Sequence, residues 1–285
     1  MTQSTSIPPF QTTFAVSLHC NGCIDSVTSA LQKVNGISEI SPSLEDQTIS
    51  ITGTAPPSAL IQAMQSTGKD AILRGSGVSN SNWLRNQLSG KIGTNRSPGA
   101  AVAILETPIS SDPTSSQKSP VRGLARFVQV SSSPSPPLTL IDLTLKGLPP
   151  GLYSASIRAS GDISQGSKSI GGMWRGAEKE NDGKGDLGDI KVGEDRKGST
   201  LSMGRWAVWE VVGRGFTVQR KEALSIPLST NSSRSGSEEA EGYETEALGV
   251  IARSAGVWDN DKTVCSCSGK TVWEEREEQV GRGML

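Results

Sequence analysis

The chain has 285 residues, with 28 lysines and arginines against 29 aspartates and glutamates, for a formal net charge of −1. This balance provides no overall basic field, and it argues against binding to nucleic acid or to an acidic membrane surface. Hydrophobic residues make up 34% of the chain, aromatic residues make up 4%, and there are 32 glycines. We therefore expect modest cores joined by long polar loops, arranged as two domains or as one domain with extensions.

Targeting and membrane-spanning segments are not evident in the sequence. No apolar run approaches the roughly 18 residues that a membrane-spanning helix needs. The start of the chain has neither the basic region nor the apolar stretch of a secretory signal. We therefore expect a soluble intracellular protein without membrane insertion. Its location is expected to be the cytoplasm, and the mitochondrial intermembrane space is left open as a second location.

Residues 11–74 have the pattern of a small α+β domain. An alternating apolar segment predicts a first strand, and a loop containing Cys20 and Cys23 follows it. Apolar residues at helical spacing then predict a helix over 24–34. Two further strands, a second helix opened by a Pro-Pro pair and a last short strand give the order βαββαβ. This order predicts a ferredoxin-like fold.

The rest of the chain is predicted to be a linker, a β-domain and a tail. Residues 75–98 are rich in Ser, Asn and Gly, as linkers are. In residues 99–258, short β-type runs separated by Gly and Pro turns predict an all-β sandwich or barrel. Two polar stretches, 175–197 and 229–246, are predicted to be long loops, and 259–285 a flexible tail. The candidate strands are 100–107, 121–131, 138–145, 151–159, 205–212, 215–220 and 248–254.

The four cysteines form two close pairs, a CxxC motif at Cys20 and Cys23 and a CxC motif at Cys265 and Cys267. Two close pairs in a chain of intracellular character favour metal or redox chemistry over a structural disulfide framework. The single histidine, His19, is predicted to point away from the thiols as a solvated surface residue. A centre built from several histidines is therefore excluded.

The CxxC motif lies where a loop enters a helix, and the helix dipole there favours thiolate over thiol. Two thiolates without a third protein ligand suit Cu(I), whereas structural zinc takes four ligands. A thioredoxin-type redox motif remains the alternative, although that fold surrounds its motif with a larger sheet.

The CxC motif has a different chemistry from the CxxC motif. In an extended chain, Cys265 and Cys267 project to the same side and can hold one soft ion. A disulfide across a single residue would be strained, which suits exchange better than structural support.

Three segments carry a resemblance to known families. The stretch FAVSLHCNGC at 14–23 resembles the heavy-metal-associated domains of copper chaperones and copper pumps, with Leu18 where Met is usual. We expect this apolar replacement to leave metal binding little changed. The middle region is similar to copper–zinc superoxide dismutase, a Greek-key β-sandwich, in LTLKGLPPGLY, SGD, KGDLGDI, VVGRGF and LGVIA. The segment 248–276 resembles the C-terminal part of the copper chaperones for superoxide dismutase, particularly the fungal form.

The middle region departs from the dismutase pattern at its metal ligands. The resemblance implies copper-binding histidines at the positions of Ser156, Arg158 and Gln219, and a zinc-binding aspartate that is kept as Asp186. Redox-active copper in such a site needs imidazole ligands. We therefore expect a metallochaperone without superoxide dismutase activity rather than an enzyme.

The resemblance implies delivery of copper to an apo copper–zinc superoxide dismutase. Cu(I) would bind Cys20 and Cys23, supplied by a membrane copper transporter or by small thiols. The middle region would dock on the client as a pseudo-protomer and form a heterodimer. Cys265 and Cys267 would then pass the metal on and promote the client disulfide. The implied docking residues are Gly161, Asp162, Gly213, Arg214, Ile251 and Arg253.

Two other functions stay open at this point. A thiol–disulfide oxidoreductase would use both cysteine pairs without copper, and a passive copper-buffering protein would have no client. The sequence also leaves open whether the two copper sites fill independently and whether the chain forms a homodimer.

Overall fold

The computed structural model describes residues 7–77, 99–108, 121–131, 137–176, 184–221, 245–254 and 270–281. These residues form an α+β unit followed by an all-β unit, and each unit has a hydrophobic core of its own. Both predicted fold classes are confirmed. Among the described helices, none is long and apolar enough to cross a membrane.

The first unit has the predicted βαββαβ order. Its elements are β1 (Phe10–Val16), α1 (Asn21–Leu31), β2 (Ile37–Ser43), β3 (Thr48–Gly53), α2 (Pro57–Gln65) and β4 (Ala71–Gly77). The strands form an antiparallel sheet in the order β2-β3-β1-β4. The last three residues of β4 belong to the segment predicted as linker.

Apolar periodicity accounts for the core of this unit. Phe14, Val16 and Leu18 alternate along β1 and just beyond it, and all three are buried. Val27 and Leu31 lie one turn apart on α1 and are buried in the same cluster. The loop that joins β1 to α1 is therefore held between two buried anchors.

The second unit is an antiparallel sheet that curls into a near-barrel sandwich. Its elements are β5 (Ala100–Glu106), β6 (Val121–Ser131), β7 (Leu138–Lys146), β8 (Gly151–Ile157), a 3-10 turn (Gly166–Lys168), β9 (Asp186–Val192), β10 (Lys197–Gly204), α3 (Val208–Val211), β11 (Gly215–Arg220), β12 (Thr245–Val250) and β13 (Ala252–Ser254). The strand order is β10-β7-β6-β5-β12-β11-β8-β9, and β13 pairs with β5. The two end strands, β9 and β10, also contact each other.

Aromatic side chains fill the centre of the sandwich. The rings of Phe127 and Phe216 meet edge to face with centroids 5.9 Å apart, and Trp174 meets Trp206 in the same way at 5.9 Å. Phe127 also lies 6.2 Å from Trp206, so the four rings form one connected group. Such pairs stabilise a core beyond the area that they bury.

Two sequence predictions in this unit are wrong. Part of the loop predicted at 175–197 is β9, whose buried residues Leu187 and Ile190 are three apart because Gly188 has φ +83° and breaks the alternation. The strand predicted at 205–212 is a turn followed by α3. That short helix is capped at its start by the Glu210 carboxylate, which accepts the N–H of Ala207 at 2.8 Å.

The described end of the tail is a helix, α4 (Val272–Gly281), which the sequence analysis did not predict. Its start is stabilised by a reciprocal pair of contacts: the Thr271 N–H donates to the Glu274 carboxylate at 2.7 Å, and the Glu274 N–H donates to the Thr271 hydroxyl at 3.2 Å. Arg276 forms an ion pair with Asp70 of the first unit at 2.8 Å. The charged stretch at 274–278 therefore contacts the first unit through Arg276.

A buried carboxylate joins the two units. Asp142 on β7 accepts the backbone N–H of Ser58 at 2.8 Å and its hydroxyl at 2.6 Å, in the first turn of α2. Arg126 is directly opposite Asp142 on β6, with its guanidinium 3.6 Å from the carboxylate. A side chain of the second unit thus caps a helix of the first, where negative charge is favourable.

Removing this carboxylate should destabilise the whole chain. Asp142→Ala leaves Arg126 buried without its counter-charge, and we expect a loss of about 3–5 kcal/mol in the free energy of unfolding. Denaturant titration followed by tryptophan fluorescence measures this change.

The matched control is Asp189→Ala, because Asp189 pairs with Lys221 in an exposed ion pair at 2.6 Å. That change should cost less than about 1 kcal/mol. Equal effects of the two substitutions would show that the Asp142 contact does not join the units.

Candidate metal centre

The two thiols of the CxxC motif lie close together at the start of α1. Cys20 is the last residue before the helix and has extended backbone angles, and Cys23 is in the first turn. Their Sγ atoms are 3.5 Å apart, and both cysteines are free thiols. The N–H of Cys23 donates to the Cys20 carbonyl at 3.0 Å, which folds the loop back on itself. The sequence thus brings two sulfur ligands to one point.

Buried side chains behind the loop hold the two cysteines in this arrangement. Leu18, at the position where Met is usual in the resembling domains, is 1% exposed and belongs to the core of the first unit. Cys23 packs against the same core, whereas His19 and Cys20 are exposed. The exposed His19 agrees with the sequence prediction. The thiols therefore face solvent while their backbone is anchored from behind.

Hydrogen bonds favour the charged form of one thiol. They lower the pKa of Cys23 to about 7, and the largest contribution comes from the backbone of His19, followed by the Cys20 thiol. The side chain of Lys69 makes a smaller contribution, and partial desolvation opposes the shift. The first turn of α1 contains no acidic residue that would offset the helix dipole. A larger fraction of Cys23 is therefore thiolate near neutral pH than of an ordinary cysteine.

The centre offers two sulfur ligands and leaves further coordination positions open. Within the described residues, no group of three or more His, Cys, Asp or Glu side chains is placed to hold a metal ion. A soft ion held by two exposed thiolates can accept a third sulfur from an approaching molecule. This geometry suits transfer of the ion rather than permanent storage.

The second cysteine pair, Cys265 and Cys267, lies outside the described residues. The nearest described residue after it is Lys270, which precedes α4. The helix α4 contacts the first unit through the ion pair between Arg276 and Asp70, the residue after Lys69.

Polar side chains of the sandwich occupy the positions at which the resemblance implies metal-binding histidines. Ser156 on β8 and Thr217 on β11 are opposite each other and share a buried hydrogen bond of 3.0 Å. Arg158 donates to the carbonyl of Gly171 at 3.0 Å, and Gln219 donates to the Thr245 hydroxyl at 3.3 Å. Each of these side chains therefore bonds to a neighbour within the protein.

The zinc-ligand position that keeps its aspartate also has a local role. Asp186 accepts the N–H of Gly188 at 2.9 Å, across the turn that interrupts β9.

Most of the implied docking residues meet at one end of the sandwich. The N–H of Gly213 donates to the Ile251 carbonyl at 2.8 Å, and the N–H of Ile251 donates to the Arg214 carbonyl at 2.9 Å. A side chain on Gly161 would collide with the carbonyl oxygen of Gly213, and Gly213 itself has φ +83°. Glycine is therefore required at 161 by the close approach and favoured at 213 by the left-handed backbone conformation.

The other docking candidates differ in what they expose. Asp162 and Arg253 are exposed, and Arg253 is paired with Ala101 across the β13–β5 edge. The Ser164 hydroxyl and backbone lower the pKa of Asp162 by hydrogen bonding to its carboxylate. The side chain of Ile251 is buried in the core, so its contribution to this surface is the main chain alone.

Arg214 organises the surface rather than projecting from it. Its guanidinium donates to the carbonyls of Glu210 at 2.8 Å and Ala159 at 2.9 Å, and it lies 5.1 Å from the centre of the Trp174 ring. These contacts join α3 to the loop that follows β8.

Sequence reasoning missed one large exposed side chain beside this surface. Trp209 on α3 is 55% exposed and lies four residues before Gly213. A signal was available, because a tryptophan among polar and apolar neighbours in a short segment is typical of a contact residue. The segment was instead interpreted as a strand, which obscured that signal.

Comparisons with known proteins agree with both units. Residues 13–70 match the heavy-metal-associated domain, and residues 121–241 match copper/zinc superoxide dismutase. Together with the exposed thiol pair, these matches define a metal-binding protein with a dismutase-like second domain.

Relatives of known identity match almost the whole chain. The "superoxide dismutase 1 copper chaperone" of Debaryomyces hansenii is 39% identical, covering 96% of this chain and 98% of the relative. That of Saccharomyces cerevisiae is 35% identical, covering 96% and 97%. The human "copper chaperone for superoxide dismutase" is 33% identical, covering 95% and 90%. The chain belongs to the family of copper chaperones for superoxide dismutase, and the resemblance stated from the sequence is confirmed.

The lowered pKa of Cys23 gives a pH test of the centre. In reduced, metal-free protein, alkylation of Cys23 by iodoacetamide should rise with a midpoint near pH 7, below the roughly 8.5 of an ordinary cysteine. The corresponding stability gain is lost as the pH falls through 7, because the folded state then binds the proton. Peptide-resolved mass spectrometry measures the alkylation.

Substitution of Lys69 tests the contribution of the side chain. Lys69→Gln should raise the midpoint, because the thiolate loses a positively charged hydrogen-bond donor in exchange for a shorter, neutral amide. Lys33→Gln, which makes the same charge change beyond the end of α1, should leave it unchanged. A wild-type midpoint above pH 8 would contradict the geometry described here.

Proposed function

We propose that the chain binds Cu(I) at Cys20 and Cys23 and delivers it to an apo copper–zinc superoxide dismutase. The observation that carries this proposal is the exposed pair of sulfur atoms, 3.5 Å apart, in a chain whose second unit repeats the fold of the client. The reducing cytoplasm keeps these thiols reduced, so we assign copper loading to that compartment. A membrane copper transporter or a small thiol serves as donor, since either presents copper on exchangeable sulfur ligands.

Docking uses the end of the sandwich where Gly161, Gly213 and Arg214 meet. Two sandwiches of the same fold can associate through equivalent patches, as subunits do in symmetric dimers. Trp209 provides the large apolar side chain that such a contact needs at its centre, and Asp162 and Arg253 provide charge at its rim. The product is a heterodimer of chaperone and client.

The tail completes delivery through Cys265 and Cys267. As a dithiolate, the pair accepts Cu(I) from the first unit by ligand exchange and passes it to the client. As a disulfide, the pair accepts two electrons from two client thiols, so that the client disulfide forms and the tail dithiol is regenerated. The second unit takes no part in redox chemistry, because the positions of the dismutase ligands hold Ser156, Arg158 and Gln219.

Reconstitution of a client tests delivery and separates the two cysteine pairs. Apo superoxide dismutase is incubated with the Cu(I)-loaded chain in the presence of excess copper chelator, and dismutase activity is measured. Wild type should activate the client, and Cys265→Ser/Cys267→Ser should bind Cu(I) at the first unit but fail to activate.

Further measurements distinguish delivery from copper buffering and from thiol–disulfide oxidation. Cys20→Ser/Cys23→Ser should lose copper binding at the first unit. Copper binding without activation by the wild type would favour a passive buffer. Oxidation of client thiols by the copper-free chain, with no transfer of copper, would favour an oxidoreductase.

The docking surface is tested by truncating its largest exposed side chain. Trp209→Ala should weaken the complex with apo superoxide dismutase by about tenfold or more, since buried aromatic anchors dominate interface energies. Analytical ultracentrifugation or calorimetry measures the affinity.

Leu152→Ala is the control, because Leu152 is also exposed but lies at the opposite end of β8 from the docking loop. An unchanged affinity in Trp209→Ala, with copper binding intact, would remove α3 from the interface.

A further inference from the structure

A cavity of about 460 Å³ lies where the two units and α4 meet. Residues of α2 and β4 form one side, residues of β5, β6 and β7 form the other, and Arg276 of α4 lines it as well. The volume falls in the range of small-molecule sites, which occur preferentially at domain interfaces. The thiol pair and the docking surface are not part of its lining.

Positive charge dominates the polar part of this lining. Arg126, Lys146, Lys197 and Arg276 line the cavity, and no acidic side chain is among its described lining residues. Asp142 and Asp70 pair with the two arginines from outside the lining, so that cationic side chains line the cavity with two of their counter-charges behind them. A concave surface lined by side chains of one sign of charge attracts ligands of the opposite sign.

Each arginine has a buried donor that makes no hydrogen bond within the described part of the chain. Arg276 Nε has no hydrogen-bond partner there, and Arg126 Nη1 has only the long ion-pair contact of 3.6 Å with Asp142. Buried donors without acceptors are costly and uncommon, and each calls for a partner. Burial also lowers the pKa of Arg126, and the charge of Asp142 opposes this shift. An oxyanion in the cavity would supply the missing acceptors.

The remaining lining is largely apolar. Ile61 of α2 and Ile72 and Leu73 of β4 face Val102 and Leu124 of the sandwich. Side chains of this type exclude water and accommodate a hydrocarbon group. The cavity therefore combines anion recognition with an apolar surface.

We propose that this cavity binds a small molecule that carries a phosphate or carboxylate group together with an apolar portion. Its oxyanion contacts Arg126 and Arg276, with Lys146 and Lys197 providing further positive charge. A ligand held between α2, the sandwich and α4 binds the assembled chain better than the separated parts. Binding of the ligand therefore stabilises the contact between the first unit and the sandwich.

Calorimetric titration of the full-length, reduced chain with 1-naphthyl phosphate tests the site. We expect a dissociation constant of about 1 mM or tighter, and no binding of uncharged 1-naphthol under the same conditions. Inorganic phosphate and 1-naphthoate are titrated in parallel, and the tighter of the two naphthyl anions identifies the preferred oxyanion.

Variants locate the binding. Arg126→Gln and, independently, Lys197→Gln should each weaken binding of 1-naphthyl phosphate by about tenfold. Lys197 is exposed, so its variant stays informative if Arg126→Gln does not fold. Lys191→Gln is the control, since it makes the same charge change on β9 outside the lining. No binding by the wild type, or an equal loss in Lys191→Gln and Lys197→Gln, would overturn the proposal.

Discussion

The hydrogen bonds around Cys23 and the burial of Leu18 behind it determine what this chain can do with a metal ion. Leu18 fixes the end of β1, α1 begins two residues after His19, and the backbone between them directs its donors to sulfur. A thiolate is thereby stabilised by backbone groups that the buried core anchors from behind. The coordination positions that the protein does not fill remain accessible from solvent. Thiolate stabilisation and open coordination positions thus come from the same short loop.

The second unit has the sandwich fold with other polar side chains at the positions where the resemblance implies metal-binding histidines. An aromatic group around Phe127 and Trp206 fills its core. At one of those positions, Ser156 shares a buried hydrogen bond with Thr217, which gives both hydroxyl groups a partner across two strands. At one end of the sandwich, the backbone of Gly161 approaches the Gly213 carbonyl so closely that a side chain on Gly161 would collide with it. The fold and its surface thus depend on contacts within the protein.

The sequence predicted the fold of the first unit well and placed Cys20 and Cys23 in the loop before its first helix, because both depend on local patterns. Alternation in β1, helical spacing in α1 and the CxxC spacing all act over a few residues. Predictions failed where long-range pairing overrides local pattern: β9 contains Gly188 in a left-handed conformation, and polar β10 is a strand because β7 pairs with it along eight residues. The Asp142 junction was beyond prediction, since Ser58 and Asp142 are far apart in sequence and neither has an unusual neighbourhood. The partner of Arg276 was missed for the same reason.

The cap that Asp142 provides to α2 has a consequence for exchanging domains between proteins. A copper-binding unit taken from another protein would be accepted only if it brought a donor at the position of Ser58, because otherwise a buried carboxylate would lose two of its hydrogen bonds. Likewise, a sandwich without the carboxylate would present Arg126 to the incoming helix with no counter-charge. We therefore expect relatives to change Ser58, Arg126 and Asp142 together, because the two domains must match at this contact.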